Sequence, residues 1–331
     1  MQNTSLLTRL LTAVLVVAVI GMFVKIMSFR SGQRPAPTPL VVDSTARPAA
    51  AADAQPASAP HPEQTFNYTP LKPVGGKLRG VVELGASGFN SFIVRTDAHH
   101  NWQLNKAEYD NSLIMENMAS DEDIRRGLRA YITKMLDYGV AGRDIHFVVS
   151  SGALKVLATH RIVEQLAHMH YVVNTMTPAK EAALGLSVAL PPLFGDRAFV
   201  VDIGSGGTEI SWQQQGKSES VDTYGSKYYE HGVTDEVVAL DVKHRAEQVP
   251  ANLRQTCFIM GGVPFEMAKQ VRKGKERYTV LSSPEAYQFE SAKGKSGAVI
   301  YQAIAQATGC QKFIFDWDAN FTIGYLLSLP Q

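Results

Sequence analysis

The feature that most constrains this chain is a short element that occurs twice. The first copy, residues 82–88, has the sequence Val-Glu-Leu-Gly-Ala-Ser-Gly, and the second, residues 201–207, has Val-Asp-Ile-Gly-Ser-Gly-Gly. Each copy predicts an apolar strand that ends in an acid, a glycine-rich turn and a second strand. The copies begin at residues 82 and 201, 119 positions apart. This spacing is typical of duplicated domains, so we expect two related α/β lobes that face each other across a cleft.

The pattern between and after the two copies also predicts an α/β protein. A third glycine turn, Gly261-Gly262, follows an apolar strand and leads into a helix predicted to start near Pro264. A short final helix is predicted over residues 321–329. The remaining predicted elements alternate between helix and strand, at residues 121–138 (helix), 144–150 (strand), 154–168 (helix), 171–174 (strand) and 178–190 (helix).

Composition excludes several classes of protein. The chain has 331 residues and 45% hydrophobic residues, enough for a sizeable core, so a wholly disordered chain is excluded. Lys plus Arg is 32 and Asp plus Glu is 31, and we therefore expect no nucleic-acid partner, which would need a strongly basic face. The two cysteines, Cys257 and Cys310, form neither a disulfide framework nor a cysteine zinc site.

The N-terminal residues predict a membrane anchor and a linker. The run Leu10 to Val24 has no charged residue, and a helix over residues 10–29 would span a bilayer. A cleaved signal peptide is the alternative, but the residues that follow make a poor cleavage site. We expect an anchor at residues 1–30, a Pro/Ala-rich linker at 31–75, one lobe at 76–192 and a second at 193–331.

The orientation of this anchor follows from its flanking charges. One basic residue precedes the span, whereas Lys25, Arg30, Arg34 and Arg47 follow it. The positive-inside rule then places the body in the cytoplasm. We expect the membrane to be a bacterial inner membrane. Pro/Ala-rich tethers also occur on exported domains, so this alternative stays open.

The repeated glycine turns suggest phosphate binding. Without a Cβ atom, glycine lets backbone N–H groups approach an anion closely, and an acid at the preceding strand end can hold a cation or orient a water molecule. Two such turns from facing lobes would clamp a phosphate between them. The alternative is that the turns are structural, because hairpins commonly need glycine in any case.

These motifs resemble those of the actin-like phosphotransferase superfamily. Within it, the chain looks most similar to the exopolyphosphatase/guanosine pentaphosphate phosphatase (Ppx/GppA) family. Residues 82–92 and 201–209 are similar to its two phosphate turns, residues 146–155 to its strand and basic element, and residues 180–186 to its acidic helix. The resemblance covers residues 78–328 approximately, with the motifs in order. It implies two actin-like (ribonuclease H-like) lobes and often a homodimer.

The resemblance also implies a Mg²⁺-assisted hydrolase that removes the terminal phosphate from polyphosphate or from guanosine pentaphosphate. Asp202 would hold Mg²⁺ or the attacking water, Glu83 would be a further metal ligand, and Glu181 would be the general base. The resemblance assigns phosphate binding to three glycine turns and one lysine, namely Gly85, Ser87, Gly88, Lys155, Gly204, Ser205, Gly206, Gly207, Thr208, Gly261 and Gly262.

Three departures from the family pattern support a second hypothesis. Glu83 stands where the family has Asp, Lys180 replaces one acid of a Glu-Glu pair, and residues 321–324 lack the late Arg and Glu. A catalytically degenerate actin-like domain could bind nucleotide or polyphosphate as a sensor or scaffold. We expect Lys180 to lower the pKa of Glu181. We also expect Glu83, Glu181 and Asp202 to line one cavity, where at least one should titrate high.

Overall fold

The computed structural model describes residues 66–109 and 120–330. The predicted anchor at residues 10–29 and most of the predicted linker lie outside the described residues and remain predictions. Within the described part, no helix is both long enough and apolar enough to cross a membrane.

The first lobe is built on a sheet of five strands in the order β3-β2-β1-β4-β5. The first three strands form an antiparallel meander, and the last two run parallel to β1. Its elements match the predicted pattern closely. They are β1 (Lys77–Gly85), β2 (Gly88–Thr96), β3 (Trp102–Tyr109), α1 (Asp121–Asp137), β4 (Ile145–Val149), α2 (Leu157–His168), β5 (Val173–Thr175) and α3 (Pro178–Ala189).

The second lobe is built on a six-stranded sheet in the order β10-β11-β9-β6-β7-β8. It too has an antiparallel meander, β6-β7-β8, and two strands parallel to β6 and to each other. Its elements are β6 (Ala198–Ile203), β7 (Gly207–Gln214), β8 (Lys217–Tyr224), α4 (Asp235–Ala246), β9 (Thr256–Met260), α5 (Gly262–Val271), β10 (Tyr278–Val280), α6 (Ala292–Thr308), β11 (Phe313–Asp316) and α7 (Phe321–Ser328).

The two sheets share one topology. The order β3-β2-β1-β4-β5 is repeated as β8-β7-β6-β9-β11, and the antiparallel strand β10 is added at the edge of the second sheet. The duplication predicted from the glycine turns is therefore present in the fold, which is an α/β fold consistent with two actin-like lobes.

Two helices connect the lobes. α3 packs on β6, β7 and β8 of the second sheet, and α7 packs on α3 and on β1 of the first sheet. Gly324 allows this close crossing of α7 and α3, because a Cβ atom there would collide with the carbonyl oxygen of Leu184. The C-terminal helix thus returns from the second sheet to the first, although the sequence-based division assigned residues 193–331 to the second lobe.

Two helix starts differ from the prediction. The second helix begins at Leu157 rather than residue 154, because Ala153–Lys155 forms a 3₁₀ turn in which Ala153 N–H donates to Ser150 Oγ. The helix after the third glycine turn begins at Gly262 rather than Pro264. Proline is favoured in a first helical turn but need not be its first residue.

Candidate functional site

A cavity of about 350 Å³ lies where the three glycine turns meet, and we call it the central cavity. The predicted catalytic and metal-binding acids Glu83, Glu181 and Asp202 all line it. So do most of the predicted phosphate-binding residues, namely Gly85, Ser87, Gly88, Gly204, Ser205, Gly206, Gly207, Gly261 and Gly262. The structure therefore brings together residues that are far apart in sequence.

The two hairpins present equivalent pairs of side chains to this cavity. Glu83 on β1 pairs with Asn90 on β2, and Asp202 on β6 pairs with Glu209 on β7. Residues directly opposite in an antiparallel pair project from the same face of the sheet. Each hairpin therefore contributes an acid and a cross-strand partner, and all four side chains line the central cavity.

Glu83 is held by two side-chain amides. Its side chain is 8% exposed, and its Oε2 atom accepts hydrogen bonds from Asn90 Nδ2 and Asn320 Nδ2, each at 3.0 Å. Burial raises the pKa of Glu83, and the two amide hydrogen bonds act in the opposite direction because they favour the charged form. The first acid is thus buried and held by two neutral amides. No side-chain cation among the described residues contributes to the shift of its pKa.

Glu181 lies in the first turn of α3, where Thr177 is the N-cap. Both of its carboxylate oxygens accept hydrogen bonds at 2.7 Å from Ser151, one from the backbone N–H and one from the hydroxyl. Burial raises the pKa of Glu181 to about 7, with a smaller contribution from the charge of Glu83, while the bonds from Ser151 act to lower it. A carboxyl with this pKa can gain or lose a proton near neutral pH.

The expectation that Lys180 lowers the pKa of Glu181 was wrong. Lys180 is exposed, whereas Glu181 is 6% exposed and faces the central cavity. Consecutive helical residues point about 100° apart, so neighbours in sequence can lie in different environments. The pKa of Glu181 rises because burial outweighs the hydrogen bonds.

The second hairpin concentrates acidic groups. Burial raises the pKa of Asp202, and the charges of Glu83 and Glu181 raise it further. Burial also raises the pKa of Glu209, which is 6% exposed, and the charge of Asp202 adds to this. The expectation that at least one acid in the cavity titrates high is confirmed. Glu209 adds a fourth carboxyl that the sequence interpretation had not assigned.

Two predicted phosphate-binding side chains lie outside the central cavity. Thr208 is fully buried and does not line it, because strand residues alternate between faces and its neighbours Gly207 and Glu209 face the cavity instead. Lys155 is exposed and lines a second cavity of about 580 Å³. Ala86, Gly152, Ser205 and Gly206 line both cavities, so the glycine turns lie between them.

Close backbone contacts fix the second and third glycine turns. A Cβ atom at Gly225 would collide with the backbone N of Gly207 and lie 2.5 Å from the carbonyl oxygen of Ser205. Gly261 has φ +106° and lies so close to Asp202 that a Cβ atom would be 2.8 Å from Oδ1. Both positions therefore require glycine, for space in the first case and for space and backbone conformation in the second.

The donor set of the cavity suits a hard divalent cation. Asp202, Glu83 and Glu209 provide carboxylate oxygens, which Mg²⁺ prefers, and their mutual repulsion would be relieved by a bound cation. Among residues 66–109 and 120–330, no group of three or more His, Cys, Asp or Glu side chains is arranged to hold a metal ion. Mg²⁺ usually takes one or two carboxylates together with waters and substrate phosphates. The residues present therefore fit such an ion.

The sequence interpretation missed five residues that line or support this site. Glu209 and Asn90 occupy equivalent places in the repeat, so the repeat itself was a usable signal. Ser151 lies within the motif at residues 146–155 but was given no role, whereas Asn320 and Lys293 had no local signal because their importance arises from tertiary contacts. Lys293 lies near Gly262, its Nζ 3.3 Å from where a Cβ atom would stand, and lines the cavity.

The fold and site define an α/β protein of two sheets, consistent with two actin-like lobes, with acids and glycine turns around one cavity. Among solved structures the chain is similar to an exopolyphosphatase from Cytophaga hutchinsonii, with 14% identity over 76% of this chain and 96% of that chain and a TM-score of 0.59. It is also similar to the Aquifex aeolicus PPX-GPPA enzyme, with 15% identity over 76% and 99% and a TM-score of 0.57.

A type II variant of the Aquifex aeolicus Ppx/GppA phosphatase gives 15% identity over the same shares of the two chains and a TM-score of 0.54. No known family profile matches this chain, and no curated protein sequence does. The chain therefore has the fold of the Ppx/GppA structures, and the resemblance stated from the motifs is confirmed at the level of the fold.

Proposed function

We propose that this chain is a divalent-cation-dependent phosphoanhydride hydrolase that removes the terminal phosphate from polyphosphate or from guanosine pentaphosphate. The observation that carries the proposal is the convergence of four carboxyls and three glycine turns on one cavity. The structural neighbours include an exopolyphosphatase and Ppx/GppA phosphatases, which supports the same chemistry.

The glycine turns would hold the terminal phosphate. Their backbone N–H groups can approach phosphate oxygens because no Cβ atom intervenes at Gly85, Gly204 or Gly206. The buried hydroxyl of Ser87 lacks a hydrogen-bond partner within the described residues, so it has a donor to offer. Lys293, which belongs to α6, would add a positive charge beside Gly262 at the start of α5.

Glu181 would act as the general base. It takes a proton from water as the water oxygen attacks the terminal phosphorus and the bond from that phosphorus to the bridging oxygen breaks, which yields phosphate and a shortened chain. Its pKa of about 7 suits proton transfer near neutral pH, and Ser151 fixes its orientation. Asp202, with one further carboxylate from Glu83 or Glu209, would hold Mg²⁺, which would neutralise phosphate charge and lower the pKa of bound water.

The test is phosphate release by the purified full-length chain with Mg²⁺, from long-chain polyphosphate and from guanosine pentaphosphate in parallel. Release with either substrate that is abolished by a chelator supports the proposal. No release with either, in conditions where a known Ppx/GppA enzyme works, contradicts it. Tight binding without turnover would support the sensor or scaffold hypothesis instead.

We also propose that residues 10–29 anchor the chain in a bacterial inner membrane with the body in the cytoplasm. The support is the uncharged run and the excess of basic residues after it. Protease added outside spheroplasts should leave the body intact, and digestion of the body would contradict this orientation.

A further inference from the structure

Glu83 is one methylene longer than the aspartate that the Ppx/GppA pattern has at this place, and its carboxylate reaches two amides. Asn90 Nδ2 and Asn320 Nδ2 both donate to the same atom, Oε2, at 3.0 Å each. The other atom, Oε1, lies beside the first glycine turn, 3.4 Å from the position that a Cβ atom would occupy at Gly85. One carboxylate oxygen is therefore anchored by both amides, while the other lies beside a glycine turn that lines the central cavity.

The orientation of the Asn320 amide is determined by its own helix. Asn320 is the N-cap of α7, and its Oδ1 accepts hydrogen bonds from the backbone N–H of Thr322 at 2.8 Å and from the Thr322 hydroxyl at 2.6 Å. Because Oδ1 is occupied by two donors, Nδ2 must be the atom that faces Glu83. The same side chain thus caps a helix and donates to the cavity acid.

The loop that carries Asn320 is held firmly on the second lobe. Asp316, at the end of β11, accepts two parallel hydrogen bonds from the Arg277 guanidinium, both at 2.9 Å. The guanidinium of Arg272 lies 3.7 Å from the centre of the Trp317 ring. Asn320 therefore extends from a fixed loop of the second lobe to an acid on β1 of the first, 237 residues earlier in the chain.

We propose that Asn320, together with Asn90, is a positioning residue that fixes the Glu83 carboxylate and aims Oε1 into the central cavity. The Asn320 bond links the two lobes at this acid. Two neutral amides hold the carboxylate and bring no opposite charge to it. The catalytic meaning of this positioning rests on the proposed hydrolase function.

Asn320→Ser and Asn320→Asp separate the two roles of the side chain. Both replacements are good N-caps, so α7 should keep its start. Asn320→Ser loses the donor to Glu83, and Asn320→Asp places a second carboxylate against it. We expect kcat to fall roughly 10- to 100-fold for Asn320→Ser and further for Asn320→Asp, with KM changed less than about threefold.

A matched control removes a helix cap elsewhere. Ser120 caps α1 through a hydrogen bond from Asp123 N–H and lies outside the central cavity. Ser120→Ala should lower Tm while leaving kcat unchanged. If the Asn320 variants also lowered Tm while leaving kcat unchanged, as expected for this control, the positioning role would be wrong.

A double-variant test asks whether Asn320 acts through Glu83. Glu83→Asp shortens the side chain, so its carboxylate should no longer reach both amides. In that background Asn320→Ser should change kcat less than about twofold, whereas independent action would give the same fold-change as in the unmodified chain.

Crystal structures of the unmodified chain and Asn320→Ser give a readout without turnover. We expect one orientation of the Glu83 carboxylate in the first and a rotated or divided carboxylate in the second. An unchanged Glu83 carboxylate in Asn320→Ser overturns the proposal. Absence of phosphate release by the unmodified chain would overturn the proposed function alone, because the crystallographic comparison still decides the positioning role.

Discussion

The two hairpins of the cleft share one strand pairing but differ in the side chain that stands opposite the buried acid. In the first, Glu83 is opposite an amide, Asn90, and a second amide reaches it from Asn320. In the second, Asp202 is opposite another acid, Glu209, and burial together with mutual repulsion raises the pKa of both. The comparison teaches that one duplicated element can hold a carboxylate by neutral amides in one lobe and place two acids opposite each other in the other. A bound cation would stabilise the second arrangement.

The largest expected effect is that of Asp202→Asn. Removal of this carboxylate should lower the rate of phosphate release at least ~100-fold, because a positioned catalytic group is lost. In metal-free protein at pH 8 the same change should leave Tm unchanged or higher, since repulsion with Glu209 is relieved.

The matched control in the first hairpin is Glu83→Gln. The Gln oxygen can still accept from the two amides, but these hydrogen bonds lose their charge, which offsets the relief of burying a carboxylate whose pKa is raised. No second acid is opposite Glu83, so Glu83→Gln should have a lower Tm than Asp202→Asn. Thermal unfolding of both variants checks the difference. A Tm for Glu83→Gln that equals or exceeds that of Asp202→Asn contradicts the electrostatic contrast between the hairpins.

The second prediction concerns the pH dependence of stability. The pKa of Glu209 is raised in the folded protein, so the folded state holds this proton more strongly than the unfolded state. The resulting stability is fully present below the unfolded pKa near 4.5 and is lost as pH rises through the folded pKa. In metal-free buffer, Tm should therefore fall between pH 5 and pH 8.

Glu209→Gln should reduce that fall, by about 3 °C or more for a body of this size. Glu219→Gln, at an exposed acid on β8, is the control and should leave the fall unchanged. Equal slopes in Glu209→Gln and the unmodified chain would show that Glu209 does not carry a raised pKa.

The third prediction tests the support of the second glycine turn. Gly225→Ala adds a methyl group where Gly207 and Ser205 leave no space, so the turn should move away from its phosphate-binding position. We expect kcat/KM to fall roughly 10- to 100-fold. Gly142→Ala, where the nearest atom is an ordinary 3.9 Å away, should have no effect on kcat/KM. Equal values for the two variants would refute the role of Gly225.

The smallest effect is expected far from the cleft, at the turn between β2 and β3. Hydrogen bonds from the backbone of Val74, from Asn101 and from His99 lower the pKa of Asp97 to about 2. This stability is present above the unfolded pKa near 3.8 and is lost as pH falls toward 2, the opposite sign to Glu209. Asp97→Asn should flatten the acid limb of a Tm-against-pH curve, and an unaltered limb would contradict this.

Much of the fold could be predicted because its signals are local. An apolar strand, an acid and a glycine turn are adjacent in sequence, and their repetition predicted two lobes and the acids Glu83 and Asp202. Glu181 was predicted only from the resemblance of residues 180–186 to the acidic helix of the family. Lys180 is exposed and Thr208 is buried away from the central cavity because of the face of the helix or strand that each occupies. The motif alone did not indicate these faces.

The rest required the tertiary structure. Asn320 contacts Glu83 only because α7 returns to the first lobe, and no pattern near residue 320 indicates this. Lys155 follows a strand, as the sequence predicted, but it ends a 3₁₀ turn and lines the second cavity rather than the central one. Gly225 is needed for its contact with a turn 20 residues earlier, which composition cannot show.

The most direct test of the central claim is anomalous diffraction from crystals of the chain soaked in Mn²⁺, a substitute for Mg²⁺ that scatters strongly. The account predicts a peak inside the central cavity within coordination distance of Asp202, and its loss in Asp202→Asn. A cavity without a peak at saturating Mn²⁺, or a peak that persists unchanged in Asp202→Asn, would contradict the claim that the cleft acids hold a divalent cation.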